Sequence, residues 1–496
     1  MRQHKSRYAL LALVLAGTMA TSACGTRQSI EAIAAANGPG GSTVSAVENA
    51  AGGVGALPAP GTDPGAVDGS AAAAAGAASP AGAAATIAPG TTTGSTGAAT
   101  ASNGSAKAAQ PGAAARTAEA PKAAGCTQSL APITIGQVGG FTGIVSNTLA
   151  GSKIGLPVWV AAMNARGGIA CHPIRLVQAD DASDPSKSNA AVRDLVQNKG
   201  AVALVGSSVP ISIKGFRAAV EALKVPAVGG DSLNFDWNQS PYLFPQGTTF
   251  AATIIGAVKQ NVEAGKKKIG LVYCVEANNC TDAYQVLKQG GATKAGAQVV
   301  YETQMSITGT DFSAQCRSAQ NAGADQLLLA MDGSAIQRFL RSCAALNYFP
   351  AIATSAIATG SVVSNDANAQ KSTVSVAHIV FPWMRADNAA QQAYANAMKL
   401  YAPDADSDGA TSQAWVAGEM LRVLVEKLGA KAAEPITTAA ILDGLGKLKK
   451  ETFGGLSAPV TFSPGQKSAP ENNCYYPVKL DSRGWTSPSS KPVCFT

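Results

Sequence analysis

The run Ile133-Thr134-Ile135-Gly136-Gln137-Val138 leads into Gly139-Gly140-Phe141-Thr142-Gly143 and then, after an apolar stretch, Asn164-Ala165-Arg166-Gly167-Gly168-Ile169. Its reading decides the fold. Ile133–Val138 is a short β-rich run, the glycines mark a loop, and the apolar stretch is a helix ending at Asn164. Gly167 and Gly168 supply the positive φ that a helix C-terminus commonly needs. Pro157 lies inside that helix and predicts a kink or a later start. Working outward, Ile174–Gln178 is a second strand and Ser186–Lys199 a second helix, with strands at Val202–Gly206 and Ala227–Val228 around a helix over Ile213–Leu223. After Pro241–Pro245 the pattern restarts, with strands expected at Ile269–Cys274, Val299–Thr303, Gln326–Met331, Ala351–Ala353 and Ile379–Phe381. Ala414–Leu428 is a helix with Ala417, Met420, Leu421, Leu424 and Leu428 on one face. Strand–helix alternation means parallel sheets with right-handed crossovers, and two such runs make an α/β protein of two doubly wound lobes.

The ends of this folded part are set by composition. Arg2, Lys5 and Arg7 precede an apolar run from Tyr8 to Ala20 that ends at Thr21-Ser22-Ala23-Cys24, the layout of an export signal. The run is shorter than the roughly 20 residues a spanning helix needs. From Gly25 to about Gly125 the chain is almost wholly Ala, Gly, Ser, Thr and Pro, with no aromatic residue. Such a segment cannot bury enough apolar surface to offset its conformational entropy. As a flexible coil of about 100 residues it would span roughly 55 Å, enough to hold a domain away from a surface. Residues 24–125 are therefore read as a disordered tether, with a tolerated low-complexity tail as the alternative.

The remaining stretch, 126–496, is too long for one simple core. The formal charge of +7 falls by the three basic residues of the signal to about +4. Basic residues are dispersed, and Lys266-Lys267-Lys268 directly precedes an apolar strand, where it serves solvation and edge protection. No nucleic-acid partner is expected. Setting Cys24 aside, the nine cysteines leave eight, an even number that points to disulfides in an oxidising compartment. With three histidines and no Cys-x-x-Cys pair, neither a metal nor a cofactor is expected.

The quoted stretch, together with Ala203-Leu204-Val205-Gly206-Ser207-Ser208, Val225-Pro226-Ala227-Val228, Pro241-Tyr242-Leu243-Phe244 and Thr310-Asp311-Phe312, resembles the type I periplasmic binding proteins, in particular the branched-chain amino acid (Leu/Ile/Val)-binding group. The ordered series, rather than any one motif, carries this resemblance, and it covers 130–496. Thr21-Ser22-Ala23-Cys24 likewise resembles a bacterial lipobox, with Thr21 where Leu is most usual; Cys24 would then be acylated, and an ordinary cleaved signal is the alternative.

The resemblance implies a signal peptide over 1–23, one lobe from 126–245 and 386–454, a second from 246–385 and 455–496, and a three-segment hinge near 245, 385 and 455. It implies an extracytoplasmic lipoprotein on the outer face of the cell membrane. That protein would be a monomer and would capture a small polar solute, an amino acid or amide-like molecule, by hinge closure. It would deliver the solute to the permease of an ABC importer. A sensor subunit using the same clamp is the alternative.

Ligands of open α/β sheets bind at the carboxyl ends of strands. The family's contact loops fall here on Phe141 and Thr142, on Ser207 and Ser208, and on Gly230, Asp231 and Ser232 beside Gly229. In the second lobe they fall on Glu276, Asn278 and Asn279, on Asp332, and on Thr354 and Ser355. Hydroxyls and backbone N–H groups at helix starts suit a carboxylate or amide oxygen. Thr354-Ser355-Ala356 lacks the acidic residue that captures the ammonium in amino-acid-binding relatives, and Asp231, Asp332 or Glu276 would have to substitute. The absence of Arg and Lys from these loops disfavours phosphate or dicarboxylate. The same fold implies the pairs Cys126–Cys171, Cys274–Cys280, Cys316–Cys343 and Cys474–Cys494.

Gly230-Asp231-Ser232-Leu233 also spells the nucleophile block of the GDSL hydrolases. Those need the serine after the first strand and a later Asp-x-x-His, whereas Ser375 stands three places before His378 and Ile169 before His172. No enzyme is expected. Asp404-Ala405-Asp406-Ser407-Asp408-Gly409 opens like a calcium loop, but its twelfth position is Trp415 where a bidentate Glu belongs.

Overall fold

In a computed structural model of the chain, the described residues are 126–466, 469 and 471–495. The signal, Cys24 and the tether lie outside them. Strands β1 (Ile133–Gly139), β2 (Ile174–Asp180), β3 (Ala203–Ser207), β4 (Ala227–Gly230) and β5 (Leu243–Phe244) form a parallel sheet in the order β2-β1-β3-β4-β5. Helices α1 (Ser146–Asn164), α2 (Pro185–Arg193) and α3 (Ile213–Leu223) connect them. The short apolar strands β3 and β4 are buried along their length, as expected when helices cover both faces. Gly167 and Gly168 adopt φ of 93° and 84°, and a Cβ on Gly168 would sit 2.0 Å from the His172 carbonyl oxygen. Only glycine turns the chain there into β2.

Pro157 does not break or delay α1, which starts at Ser146 and passes through it. A proline leaves the carbonyl four residues earlier without its helical donor. That carbonyl, on Lys153, accepts instead from the Gln178 side-chain amide at 3.0 Å. A β2 side chain thus repairs the ladder and the helix continues.

The second sheet follows the path β12-β11-β10-β9-β8-β6-β7. Its parallel part comprises β6 (Lys268–Cys274), β7 (Gln298–Met305), β8 (Gln326–Ala330), β9 (Ala351–Thr354) and β10 (Val374–His378). Helices α4 (Phe250–Glu263), α5 (Asn278–Val286), α6 (Ser313–Asn321) and α7 (Gly333–Ala345) accompany it. Strands β11 (Cys474–Asp481) and β12 (Gly484–Thr486) add antiparallel at one edge, and β13 (Val493–Cys494) pairs β11. The strand expected at Ile379–Phe381 lies earlier, at Val374–His378. Its apolar continuation is buried in a chain crossing, where Val380 bridges Ser457 and the Phe381 N–H donates to the Leu456 carbonyl. Burial accounts for the apolar run without a strand ladder.

Between the crossings, α8 (Ala389–Tyr401) and α9 (Gly409–Glu426) return to the first sheet, where α9 packs on α1, β3 and β4. Asp408, from the calcium-like run, caps α9 and forms a reciprocal box with Thr411. The structure joins Cys126–Cys171, Cys274–Cys280, Cys316–Cys343 and Cys474–Cys494.

Candidate functional site

Each sheet has one point where its strand order reverses, between β1 and β3 in the first and between β6 and β8 in the second. Connections leave opposite faces of a sheet there and open a crevice at the carboxyl edge. A cavity of about 70 Å³ joins the two crevices. Val145 and Thr148 come from the loop and helix after β1, Pro210 and Ile211 from the turn after β3, and Leu233 from the loop after β4. The opposite wall is Ala277, Asn279 and Cys280 after β6, Leu328 to Asp332 on and after β8, and Thr354, Ser355 and Ala358 at the end of β9. Phe250 and Ile254 of α4 and the Cys274–Cys280 bridge complete it.

Of the residues expected from sequence, Asn279, Asp332, Thr354 and Ser355 are brought together in this wall. Asp332 caps α7, its Oδ1 accepting from the N–H groups of Ser334 at 2.9 Å and Ala335 at 3.2 Å. Burial raises its pKa above the ordinary carboxylate value. The Gly333 N–H, at the start of the same helix, donates across the crevice to Thr148 Oγ1 at 3.2 Å, so the two walls touch directly. Thr354 Oγ1 donates back to the Leu329 carbonyl and stiffens the β8–β9 edge.

Phe141, Thr142, Ser207, Ser208, Gly230, Asp231, Ser232, Glu276 and Asn278 do not line the cavity. Most have a local role. The N–H groups of Phe141 and Thr142 both donate to Asp180 Oδ1, which ties that loop down on β2. Ser207 Oγ accepts from the Val138 N–H, and Gly230 exchanges both backbone groups with the Gln246 side chain. Ser208 and Ser232 are buried with Oγ atoms that have no hydrogen-bond partner. Glu276 accepts from Ser306 and from the Ile307 N–H, and Asn278 is exposed at the start of α5.

Asp231 is the sharpest departure. Its carboxylate lies under the β3 and β4 ends, 2% exposed. Oδ2 accepts from the Val209 N–H at 2.6 Å, while Oδ1 accepts from the Leu233 N–H at 2.8 Å and from Trp237 Nε1 at 3.2 Å. Burial outweighs these three bonds and raises its pKa to about 6. Asp231 thus engages from within the N–H groups of Val209 and Leu233 at the strand ends of its own lobe.

The first-lobe wall is instead built by the apolar residues that follow the polar ones. Val145, Ile211 and Leu233 sit in loops where neither a strand nor a helix needs an apolar side chain, and that was their signal in the sequence. The cavity is therefore lined mainly by apolar side chains. Among the described residues Ser232 Oγ has no hydrogen-bond partner, and His378 Nε2 pairs with Ser412 Oγ at 2.9 Å inside the core. Among the described residues no group of three or more His, Cys, Asp or Glu is gathered to hold a metal.

The Cys274–Cys280 bridge fixes the turn between β6 and α5. Replacing both cysteines by serine is expected to cost about 2 kcal/mol, the loop-closure value for so short a loop. Solute affinity should weaken with it, and melting temperatures with and without solute read both effects.

A stretch of 97 residues is 36% identical to an amino acid binding protein of Pseudomonas aeruginosa, covering 17% of this chain and 24% of that protein. The chain thus spans about a quarter of the length of the curated relative it matches. Among solved structures, a possible leucine/isoleucine/valine-binding protein from Rhodopirellula baltica superposes with a TM-score of 0.61 at 14% identity, covering 74% of this chain and 98% of that one. A fatty acid ABC transporter substrate-binding protein from Thermomonospora curvata gives 0.60 at 18%, covering 76% and 95%. An ABC transporter solute-binding protein from R. palustris, in complex with benzoate, gives 0.59 at 17%, covering 73% and 98%. Likeness at these identities shows the fold, that of the type I periplasmic binding proteins. The family model described as periplasmic binding protein matches residues 132–485, and the chain belongs to that family.

Proposed function

We propose that this protein is an extracytoplasmic solute-binding lipoprotein, anchored through Cys24, that closes its two lobes on a small solute and delivers it to the permease of an ABC importer. Membership of the periplasmic binding protein family supports a small-molecule ligand outside the cytoplasm and no catalytic step. The observation that carries the reading is the cavity at the carboxyl ends of both sheets, with Thr148 and Gly333 in contact across it. Asn279, Asp332, Thr354 and Ser355 give it its polar groups, and Val145, Ile211 and Leu233 face them from the first lobe. The cavity wall is supplied by one chain, so capture needs no second copy. Closure follows if the solute favours the closed arrangement, in proportion to its differential affinity for the two states.

A thermal-shift screen tests this. The protein is first unfolded and refolded with its disulfides intact, which removes co-purified solute. At 100 times its dissociation constant a cognate solute should stabilise by about 2.7 kcal/mol, a shift of several degrees. A refolded sample silent across amino acids, amides, amines, aromatic acids and short fatty acids would speak against a nutrient receptor.

A further inference from the structure

We infer that the solute is a small, mainly apolar molecule that carries an N–H head, ammonium or amide, and no carboxylate. This rests on the solute-receptor reading and narrows it to a chemical class. Two independent arrangements support it. On the first lobe, the Val209 and Leu233 N–H groups both donate to Asp231, a carboxylate buried from within. A ligand carboxylate arriving there would meet engaged donors and a second carboxylate behind them. Like charges drawn together away from water repel strongly, and an anion without a donor keeps its desolvation cost.

On the second lobe the imbalance runs the same way. Asp332 is the single charged residue in the cavity wall among the described residues, and Lys, Arg and His are absent from it. Its Oδ1 holds the start of α7, which leaves Oδ2 outside those bonds. Asn279, also in the wall, has a buried Oδ1 with no hydrogen-bond partner. The helix-start donor beside Asp332, the Gly333 N–H, is engaged by Thr148. The wall thus holds a surplus of two acceptors without a donor, Asp332 Oδ2 and Asn279 Oδ1, beside the engaged Gly333 N–H. A bound molecule relieves that surplus by donating, and an ammonium adds charge pairing with Asp332.

Size follows from volume. A cavity of about 70 Å³ favours a small molecule over a bulky one. Short branched amines and amides, and single-ring ones such as benzylamine and benzamide, are small members of the class.

The test is a matched series on the full protein, refolded with disulfides intact: isoamylamine, isovaleramide and isovalerate, then benzylamine, benzamide and benzoate, with leucine alongside. Titration calorimetry should show the amine or amide of at least one set binding 30-fold or more tighter than its carboxylate. Asp332→Asn and Asp332→Ser keep a good helix cap, and each should erase most of that preference. Carboxylates binding as tightly as their amines and amides would overturn the donor-head assignment and leave the receptor reading standing. No binding by any member, to a sample with native circular dichroism, would count against both.

Discussion

Trp159→Ala is expected to lower the unfolding free energy by about 5 kcal/mol. The indole is wholly buried on α1 and lies flat against α9, where a Cβ on Gly418 would come within 2.2 Å of the ring. Its Nε1 donates to Glu419 Oε1 at 2.9 Å, and the other oxygen of Glu419 pairs with Arg422 Nε at 2.9 Å. Deleting a buried Trp side chain costs about 3–5 kcal/mol through lost burial and the cavity left behind. A buried carboxylate oxygen left without its donor adds about 1–3 kcal/mol. Against a typical total of about 5–15 kcal/mol, a third or more of the protein's stability would go. The seam matters because α9 is the return of the chain to the first sheet after two crossings. Trp159→Phe keeps part of the packing and should cost about half as much. Guanidinium unfolding with disulfides intact reads both, and a loss below about 1.5 kcal/mol for the alanine would mean the seam is not packed in this way.

The second large effect depends on pH. His378 is buried at the end of β10 against Trp383 and Ser412, and its Nδ1 has no partner. Burial pushes its pKa from 6.5 down to about 3. The folded chain refuses a proton that the unfolded chain accepts, so stability is full above pH 6.5 and is lost as pH falls toward 3, by up to about 5 kcal/mol. Asp231 works the other way. Its folded pKa is raised from 3.8 to about 6, so its contribution grows as pH falls from 6 to 3.8, by about 3 kcal/mol, and is lost as pH rises through 6. Between pH 7 and 4.5, His378→Gln should therefore lose about 3 kcal/mol less stability than the wild type, and Asp231→Asn about 2 kcal/mol more. Asp231→Asn also carries a pH-independent cost of about 1–3 kcal/mol, because with its oxygen kept by Leu233 and Trp237 the amide nitrogen meets the Val209 N–H and cannot accept from it. Urea midpoints of the three proteins at the two pH values give these differences, with other titrating groups common to all. Parallel profiles for His378→Gln and wild type would contradict the assignment.

Much of the fold was legible because alternation of short β-branched runs with apolar-faced helices is a local signal. Ile213–Leu223 and the strands at Ile269–Cys274 and Ala351–Ala353 fall within a residue of their observed limits. What local pattern misjudged was settled at a distance. Pro157 reads as a breaker until Gln178, on another strand, supplies a donor for Lys153. Ile379–Phe381 reads as a strand because it is apolar, yet it is buried by a crossing. Strand β11 of the edge hairpin pairs with β10, which is far away in sequence, and gave no comparable signal.

The candidate site divides the same way. Asp332, Thr354 and Asn279 lie in the cavity wall because strand ends in the second lobe open directly into the crevice. Ser207, Ser208 and Asp231 were chosen for their chemistry, and the fold turned that chemistry inward, where Asp231 satisfies the backbone of its own loops. Polarity in a strand-end loop does not say whether it serves a ligand or the loop itself.

The most direct measurement is hydrogen exchange on the refolded protein with and without the tightest solute from the screen, read by mass spectrometry. Binding between the lobes should slow exchange together in segments 145–151 and 209–213 of one lobe and 276–283, 331–336 and 354–358 of the other, including the Gly333 N–H that bridges them. Protection confined to one lobe, or no change in these segments while the solute binds, would contradict capture by closure on this cavity.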